Sequence, residues 1–422
     1  MKILIIHYAY WVTGGPERYL FNIKKQLEEN GHEVIPFSMN CKENFDTPYR
    51  KYFISSINSD NSWYFAKKAV GIASSLKQMG RLFYSFEVKK NLTQLIENEK
   101  PDIAYVLLFH RKLSPTVLTV CAQNKVPIVM RISDYLFMCP KMTFYRNGNI
   151  CELCKKSKLF SIKYKCIKDS LFASILWYIA DKSHHIRKIY DPVNAYILTN
   201  PFMKEKLIEY GYNGKHHVIE SFATNNEKQM KRYLEKSKNK QLCYIGNIIE
   251  IKGVDLLLYA FSKFRINNPE YKLIIMGNDL DNIIHDMMKN NSELFDNVEY
   301  YKHSNQSMVL KILSHSIYSF APVKSYENLP NAIIESFSVG TPVIGTDIGS
   351  IKYMIKNQYN GFTFQYDNIE DLSKKISDAV IISSETYSRI QDNCIKEIKL
   401  KYDKDIHYSK LCKVFEHVMH KR

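Results

Sequence analysis

The chain has 422 residues, which is enough for two domains of ordinary size. Apolar residues make up 45% of it and charged residues 24%, which excludes a disordered or collagen-like chain. The apolar run at residues 170–180 is shorter than the roughly 18–20 residues that span a bilayer. Residues 3–6 are also too few for the apolar core of a signal peptide. We therefore predict a cytoplasmic protein without a membrane-spanning segment.

The formal net charge is +16, and it is concentrated in the first half of the chain. Residues 1–200 carry 29 basic and 16 acidic side chains, whereas residues 201–422 carry 30 and 27. This asymmetry predicts that the first half meets an anionic partner, such as a nucleic acid, an anionic membrane surface or a phosphorylated substrate. A composition that is merely rich in lysine, with no such partner, is the alternative.

Short apolar segments alternate with helical patterns in both halves, which predicts parallel sheets with crossover helices. In the first half, the predicted strands are residues 2–6, 33–37, 103–107 and 127–132, and the predicted helices are residues 16–29 and 114–123. In the second half, the predicted strands are residues 241–245, 272–276, 318–321 and 341–345, and the predicted helices are residues 253–267, 279–288 and 307–314.

A polar segment, residues 223–240, separates the two halves and is predicted to be a linker. It divides a first domain, residues 1–222, from a second domain, residues 241–390. Two open α/β domains in tandem would face a cleft between the carboxyl edges of their sheets. Ligands usually bind at such edges, so we expect the functional site there.

The most informative segment is SYENLPNAIIESFSVGTPVIGTDIG, at residues 325–349. Glu327 precedes a predicted helix, and Pro330 suits its first turn because the missing N–H costs little there. The backbone N–H groups around Leu329 would then be free at the helix N-terminus, where they can bind a pyrophosphate. Glu335 would lie within reach of a ribose diol, while Glu327 could hold a sugar ring. A capped amphipathic helix with two surface glutamates explains the same spacing.

Two glycine-containing turns follow predicted strands. Lys252-Gly253 opens a helix, and a lysine at this position can reach a diphosphate as a point charge, although a solvated lysine is equally consistent. Gly14-Gly15 lies between the first strand and the first helix, so its backbone can approach a ligand closely. The pattern is not GxGxxG, and no acidic residue about 20 positions later marks a dinucleotide ribose, which disfavours a nicotinamide enzyme.

Taken together, these segments resemble the retaining glycosyltransferases of family 4, which have the two-domain GT-B fold. The resemblance covers nearly the whole chain and is carried by Gly14-Gly15-Pro16-Glu17-Arg18, Gly246, Lys252-Gly253-Val254, Glu327-Asn328-Leu329-Pro330-Asn331 with Glu335, Gly340-Thr341-Pro342-Val343-Ile344 and Asn360-Gly361-Phe362. It implies an α/β fold in which two Rossmann-like, doubly wound domains face a central cleft. The first domain would bind the acceptor and the second a nucleotide-sugar. Residues 391–422 would form a helix that crosses back onto the first domain.

The resemblance also implies roles for individual residues. Glu327 would contact the transferred sugar, Glu335 the ribose, and Gly14 and Gly15 would line the cleft. The diphosphate would be held by Lys252 and by amides at the helix N-terminus. Asn328, Leu329 and Asn331 at that terminus, and Asn247 after the strand, are predicted to belong to the same donor-binding site. Because these groups stabilise the charge on the leaving diphosphate, catalysis would need no divalent metal. A UDP-sugar is the favoured donor, with a GDP-sugar as the alternative, and the acceptor would be a saccharide or a lipid-linked saccharide in polysaccharide or glycan biosynthesis.

Two departures from the family pattern affect the predicted site. The family usually has an arginine after the glycine of the Lys-Gly strand, where this chain has Asn247, so Lys252 would carry more of the phosphate binding. The family often has His-Asp where this chain has Ser133-Asp134. His110 could replace the missing histidine or be a hydrogen-bonded edge residue, and Asp134 could be the base for the acceptor hydroxyl or a structural carboxylate. These departures keep a degenerate, non-catalytic family member as an alternative.

Four of the nine cysteines lie in an insert at residues 139–166, with the pattern C-x11-C-x2-C-x11-C. Four thiolates at such spacing suit tetrahedral zinc, so Cys139, Cys151, Cys154 and Cys166 are predicted to bind a structural Zn²⁺. Free thiols and an iron–sulfur cluster are the alternatives. A disulfide framework is not expected in a cytoplasmic chain.

The basic, aromatic stretch at residues 62–91 is typical of an amphipathic helix on an anionic membrane surface. We predict peripheral contact with the inner membrane leaflet, and an ordinary crossover helix is the alternative. A zinc-containing nucleic-acid-binding protein is a further hypothesis. We find no nucleic-acid module with interleaved stacking aromatics, and the two glutamates would repel phosphates, so no nucleic-acid partner is expected.

Overall fold

The computed structural model describes residues 1–12, 14–57, 72–110, 112–223, 240–302 and 305–420. It contains a six-stranded sheet in each half of the chain, and the strands of both sheets pair in parallel. Helices connect successive strands and cover the sheets. The predicted α/β fold with two Rossmann-like domains is therefore confirmed.

The first sheet consists of β1 (Lys2–His7), β2 (Glu33–Phe37), β3 (Ile103–Leu108), β4 (Ile128–Ile132), β5 (Val193–Leu198) and β6 (His216–Val218). Its spatial order is β6-β5-β4-β3-β1-β2. The second sheet consists of β7 (Gln241–Ile245), β8 (Lys272–Met276), β9 (Val298–Tyr301), β10 (Tyr318–Ala321), β11 (Val343–Thr346) and β12 (Gly361–Phe364). Its order is β9-β8-β7-β10-β11-β12. Each order reverses direction next to the first strand of its domain, and ligands bind at such points in this fold class.

The helices of the first domain are α1 (Gly15–Glu29), α2 (Ile72–Phe83), α3 (Phe86–Glu99), α4 (Thr116–Gln123), α5 (Phe160–Lys163), α6 (Leu171–Ile186) and α7 (Pro201–Glu209). The remaining helices are α8 (Val254–Arg265), α9 (Ile283–Asn290), α10 (Gln306–His315), α11 (Asn331–Ser338), α12 (Ile351–Met354), α13 (Ile369–Val380), α14 (Ser384–Lys401) and α15 (Lys404–His420).

The first sheet is buried on both faces, which explains why β1 is a continuous apolar run rather than an alternating one. Leu4 and Ile6 lie in one buried cluster, whereas Ile3 and Ile5 lie in another. The second cluster also contains Phe415 of α15. The last helix of the chain therefore covers one face of the first sheet.

The chain crosses back to the first domain later than predicted. Cys394, Ile398 and Tyr402, in and just after α14, pack in a cluster of the second domain, so this helix stays with that domain. The crossing falls between α14 and α15, and the returning helix begins at Lys404 rather than near residue 391. The backbone N–H of Ala223 donates to the carbonyl of Tyr402 at 2.8 Å, so the two connections between the domains lie side by side.

A long segment between β4 and β5 holds the cysteine insert. It contains a hairpin of Tyr145–Arg146 with Asn149–Ile150, followed by α5 and α6. Another short pair, Met39–Asn40 with Ile54–Ser55, lies near the edge of the first domain. In the part of the chain that the structure describes, no helix is both long and apolar enough to cross a membrane.

Candidate functional site

The site lies where loops at the carboxyl ends of strands from both domains meet. Tyr135 follows β4, and its hydroxyl donates to the carbonyl of Glu327, in the loop after β10, at 2.8 Å. Ser350 of the second domain donates to the same carbonyl at 2.7 Å. Two hydrogen bonds therefore fix the backbone of Glu327 at the junction of the domains.

Gly15 of the first domain approaches the second domain closely. A Cβ atom at this position would lie 3.0 Å from the side-chain nitrogen of Asn331, the first residue of α11. Gly14 is the extended N-cap residue of α1. The absence of a side chain at Gly15 thus allows the N-terminal ends of α1 and α11 to meet across the cleft.

Lys252 is positioned by the glycine that follows it. Gly253 has φ +67°, a left-handed conformation that glycine adopts without strain. A Cβ atom there would lie 1.9 Å from the carbonyl oxygen of Pro322, just after β10. This contact brings the start of α8 against the loop that carries Glu327. The Nζ atom of Lys252 lies 2.8 Å from Oε1 of Glu327, so the two predicted residues form an ion pair.

The N-terminus of α11 is open to a ligand. Pro330, predicted near the first turn of this helix, is its N-cap residue, and no side chain caps this end. Among the described residues, no acceptor is found for the backbone N–H groups of Leu329, Asn331 and Ala332. These N–H groups lie at the positive end of the helix dipole, which makes them a site for an anion.

Glu335 lies one turn into α11 and lines a cavity of about 260 Å³ between the domains. Its carboxylate accepts a hydrogen bond from Gln306 at 3.2 Å and lies 3.7 Å from the guanidinium of Arg18. Burial raises the pKa of Glu335, and the nearby Arg18 opposes this shift. Gly15 and Asn331 line the same cavity, so the structure brings these predicted residues together with Glu335.

Two other residues that were predicted to bind the nucleotide-sugar, Asn328 and Asn247, have different surroundings. The side chain of Asn328 accepts hydrogen bonds from Thr199 and Asn200 of the first domain. It therefore joins the domains rather than pointing into open space. Asn247 is exposed, and its carbonyl accepts a hydrogen bond from Tyr244 at 2.9 Å.

His110 and Asp134 both belong to the first domain and follow its strands β3 and β4. Both line a cavity of about 560 Å³ in that domain. One carboxylate oxygen of Asp134 accepts from the backbone N–H of Leu136 at 2.9 Å, which fixes the loop after β4. The ring of His110 packs on Phe109 and on Phe137. The geometry thus allows both a structural role and a role at the cleft for each residue.

Arg18 and Gln306 contact Glu335 but were not among the predicted site residues. Arg18 lies three residues after Gly15 on α1, so both face the cleft from the same side of that helix. This spacing in the sequence could have identified Arg18 as a site residue. Gln306 begins α10, and nothing in its local sequence indicates that it lies beside Glu335.

The structure does not confirm the predicted zinc site. Cys139 is buried and Cys151, Cys154 and Cys166 are half-buried, and all four are free thiols. Burial, and then the charges of Cys139, Cys166 and Cys151, raise the pKa of Cys154 to about 12. Among the described residues no group of three or more His, Cys, Asp or Glu side chains is placed to hold a metal ion.

The predicted membrane stretch at residues 62–91 is only partly visible, because residues 62–71 lie outside the described residues. Arg81 of α2 is buried and forms an ion pair with Glu87 at 3.0 Å. It also donates to the carbonyl of Ser55 at 2.7 Å. Arg81 therefore stabilises the first domain and does not face a membrane.

Comparison with known proteins finds similarity to glycosyltransferases. Residues 225–397 match the family described as glycosyl transferases group 1. The second half of the chain carries a glycosyltransferase group 1 domain. The chain is 28% identical, over 77% of its length and 75% of the relative's, to an uncharacterized glycosyltransferase of Methanocaldococcus jannaschii. It is 22% identical, over 75% of its length and 80% of the relative's, to the capsular polysaccharide biosynthesis glycosyltransferase CapM of Staphylococcus aureus.

Solved structures show the same fold. Sucrose-phosphate synthase from Thermosynechococcus elongatus matches all of both chains with a TM-score of 0.71 at 14% identity. The Anabaena protein HepE, solved in complex with UDP and glucose, matches 99% of both chains with a TM-score of 0.64 at 14% identity. The two-domain architecture is therefore of the GT-B type.

Proposed function

We propose that the protein is a retaining glycosyltransferase of family 4 that transfers a hexose from a nucleotide-sugar to a saccharide or lipid-linked acceptor. One observation carries this proposal. Glu327 and Glu335 flank an uncapped helix N-terminus in the cleft between the domains. The first carboxylate is paired with Lys252 and the second lines a cavity shared by both domains.

Each part of this arrangement suits one part of a nucleotide-sugar. The free N–H groups of Leu329, Asn331 and Ala332 and the ammonium of Lys252 would bind the diphosphate. Glu335 would accept hydrogen bonds from the ribose hydroxyls in the cavity beside α11. Glu327 would accept hydrogen bonds from the sugar hydroxyls on the other side of the diphosphate.

The same groups would supply the catalytic effect. Negative charge grows on the diphosphate as the glycosidic bond breaks. Donors that are already oriented toward that charge stabilise the transition state without reorganising. Lys252 is held in place by Glu327 and Gly253, so its position does not depend on the ligand. We therefore expect transfer to proceed in the presence of a chelator such as EDTA.

A UDP-sugar is the favoured donor. The Anabaena protein was solved with UDP and glucose, and the Staphylococcus relative is named for capsular polysaccharide biosynthesis. Retention would follow from attack of the acceptor on the face that the diphosphate leaves. Asp134, on the acceptor side, is proposed as the base, with His110 beside it. Cytoplasmic location with peripheral membrane contact, and the absence of a nucleic-acid partner, remain predictions from the sequence.

Turnover of a panel of UDP- and GDP-sugars tests the proposal. We expect release of the nucleoside diphosphate from at least one donor, and a loss of about 100-fold or more in Glu327→Ala, because a charged hydrogen-bond partner of the sugar is removed. Glu270→Gln, at an exposed ion pair with Lys240 on the far surface, is the control and should keep full activity. Absence of turnover with every donor, or equal rates in Glu327→Ala, would favour a degenerate, non-catalytic member of the family.

Metal content is tested separately by elemental analysis of the purified chain. A zinc content near one per chain would restore the four-cysteine site predicted from the sequence. Less than a few tenths of a zinc per chain would leave the four residues as free thiols, as the structure has them.

A further inference from the structure

The cysteine insert at residues 139–166 contains a hairpin with a defined turn. Tyr145–Arg146 pairs with Asn149–Ile150, and Asn147 and Gly148 between them have φ +49° and +78°. Positive φ at both central positions is typical of a type I′ turn, for which Asn-Gly is a preferred pair. The insert therefore holds this hairpin in one conformation, and the side chains at its two ends have fixed positions.

The hairpin contacts the loop of the second domain that carries Lys252. Tyr145 is buried, and its hydroxyl donates to Oε1 of Glu250 at 3.0 Å. Glu250 begins the short 3-10 turn that ends at Lys252. The carbonyl oxygen of Gly148, at the hairpin turn, lies 3.4 Å from the hydroxyl of Tyr366 in the second domain. The first domain thus contacts the turn of Lys252 through a residue of the insert.

The residues that follow the hairpin contact the loop that carries Glu327. Tyr326, which precedes Glu327, donates its hydroxyl hydrogen to Oε1 of Glu152 at 2.8 Å. The ammonium of Lys206 lies 2.8 Å from the same oxygen and holds the carboxylate in place. The ring of Tyr326 packs against a core cluster of the first domain, with its centroid 4.7 Å from that of Phe202. A side chain next to Glu327 is therefore anchored in the first domain.

The two loops that the insert contacts are also bonded to each other. The backbone N–H of Lys324 donates to the carbonyl of Ile251 at 2.8 Å, and the hydroxyl of Tyr366 lies 3.2 Å from the carbonyl oxygen of Lys324. The ion pair of Lys252 with Glu327 joins the same two loops. A displacement of the insert would consequently change the positions of both side chains.

We propose that the insert is a positioning element of the donor site. Tyr145 orders the turn that carries Lys252, and Glu152 orders the loop of Glu327 through its bond to Tyr326. This inference rests on the proposed function, in which Lys252 binds the diphosphate and Glu327 the sugar. Preorganised groups lose much of their effect when they are displaced by about 1 Å, so loss of either contact should lower activity.

Two tyrosine-to-phenylalanine variants test the contacts separately, because they remove a hydroxyl and keep the ring. Tyr326→Phe should lower kcat roughly tenfold and leave UDP affinity unchanged, since the sugar contact is disturbed and the diphosphate contact is not. Tyr145→Phe should weaken UDP binding roughly tenfold in calorimetry, since Lys252 is then less well ordered. Equal losses of UDP affinity in the two variants would indicate general destabilisation and overturn the proposal.

A double variant tests whether Glu152 and Tyr326 act through one bond. Glu152→Ala and Tyr326→Phe remove the same hydrogen bond, so the double variant should be no slower than Glu152→Ala alone. Additive losses in kcat would contradict the proposed role.

Tyr353→Phe is the matched control. The hydroxyl of Tyr353 donates to the carboxylate of Glu205 at 2.6 Å, and this bond also joins the two domains. It does not involve the insert, so the variant should keep wild-type kcat and UDP affinity. A loss as large as that in Tyr326→Phe would indicate a general effect of domain contacts and overturn the positioning role.

Hydrogen exchange of the ligand-free protein separates this inference from the proposed function, because it needs no turnover. The backbone N–H groups of Lys252 and Gly253 donate to the carbonyls of Ile249 and Glu250. Their exchange should be roughly fivefold faster or more in Tyr145→Phe and unchanged in Tyr353→Phe. A wild type that turns over no donor, with this faster exchange in Tyr145→Phe, would refute the proposed function alone. Wild-type exchange, kcat and UDP affinity in both insert-contact variants would refute the positioning role alone.

Discussion

Replacement of Glu335 by glutamine probes the nucleotide site with a minimal change of shape. The carboxylate lies in the interdomain cavity, with its side chain only 17% exposed, and its partners are Gln306 and Arg18. The substitution keeps the length of the side chain and removes its charge. In the proposed complex this charge strengthens two hydrogen bonds from the ribose.

The expected loss follows from the difference between charged and neutral hydrogen bonds. A bond to a charged group contributes roughly 1.5–3 kcal/mol and a neutral one about 1 kcal/mol, so each ribose bond loses about 1 kcal/mol. Two such bonds correspond to about 30-fold weaker binding. Solvent screening is weak in this cavity, so little of the loss should be recovered.

Calorimetric titration with UDP-glucose, or with the donor that the panel identifies, measures this loss. Burial raises the pKa of Glu335, so wild-type affinity should fall on acidification at a higher pH than for an ordinary glutamate. The Glu335→Gln variant should lack this pH step. Equal affinities of wild type and variant at neutral pH, with the pH step retained in the variant, would refute the assignment of the ribose to Glu335.

Three further outcomes are expected. Lys252→Ala should weaken UDP binding about 10–100-fold and leave uridine binding unchanged, because only the contact with the diphosphate is lost. Calorimetry measures both affinities, and an equal loss for uridine would contradict this role of Lys252. Gly253→Val should lower stability by roughly 2 kcal/mol or more in urea unfolding, because its Cβ would lie 1.9 Å from a carbonyl oxygen at φ +67°; an unchanged midpoint would contradict the packing. Burial lowers the pKa of His407 from 6.5 to about 3. Below pH 6.5 the histidine takes up a proton in the unfolded chain but not in the folded one. The stability that the neutral, buried ring contributes above pH 6.5 is therefore lost as the pH falls toward 3. At pH 5 the loss is about 2 kcal/mol, and His407→Gln should flatten that slope in pH-dependent unfolding.

Much of the fold could be predicted because buried parallel strands are continuous apolar runs. The predicted strands at residues 33–37, 241–245, 272–276 and 318–321 coincide with the observed ones. The helix predicted at residues 279–288 begins instead at Ile283, because the carboxylate of Asp279 accepts from the backbone N–H groups of Ile283 and Ile284. Strands β5, β6, β9 and β12 were not predicted. In β6 and β9 no side chain is fully buried, so no continuous apolar run marks them.

Part of the candidate site could also be predicted from the sequence, and part could not. The spacing of Glu327 and Glu335 depends on one loop and one helix, so it could be interpreted locally. The contacts of Asn328 with Thr199 and Asn200 join residues more than 120 positions apart, and no local pattern reveals them. The four cysteines have a spacing suited to zinc, but their spatial arrangement depends on the folding of a long insert.

The central claim is that the uncapped N-terminus of α11 binds the leaving group of a nucleotide-sugar. A crystal structure with UDP tests it most directly. The diphosphate is predicted to accept hydrogen bonds from the N–H groups of Leu329, Asn331 or Ala332, with Lys252 beside it and the ribose on Glu335. UDP bound elsewhere, with these N–H groups and Glu335 untouched, would contradict the account.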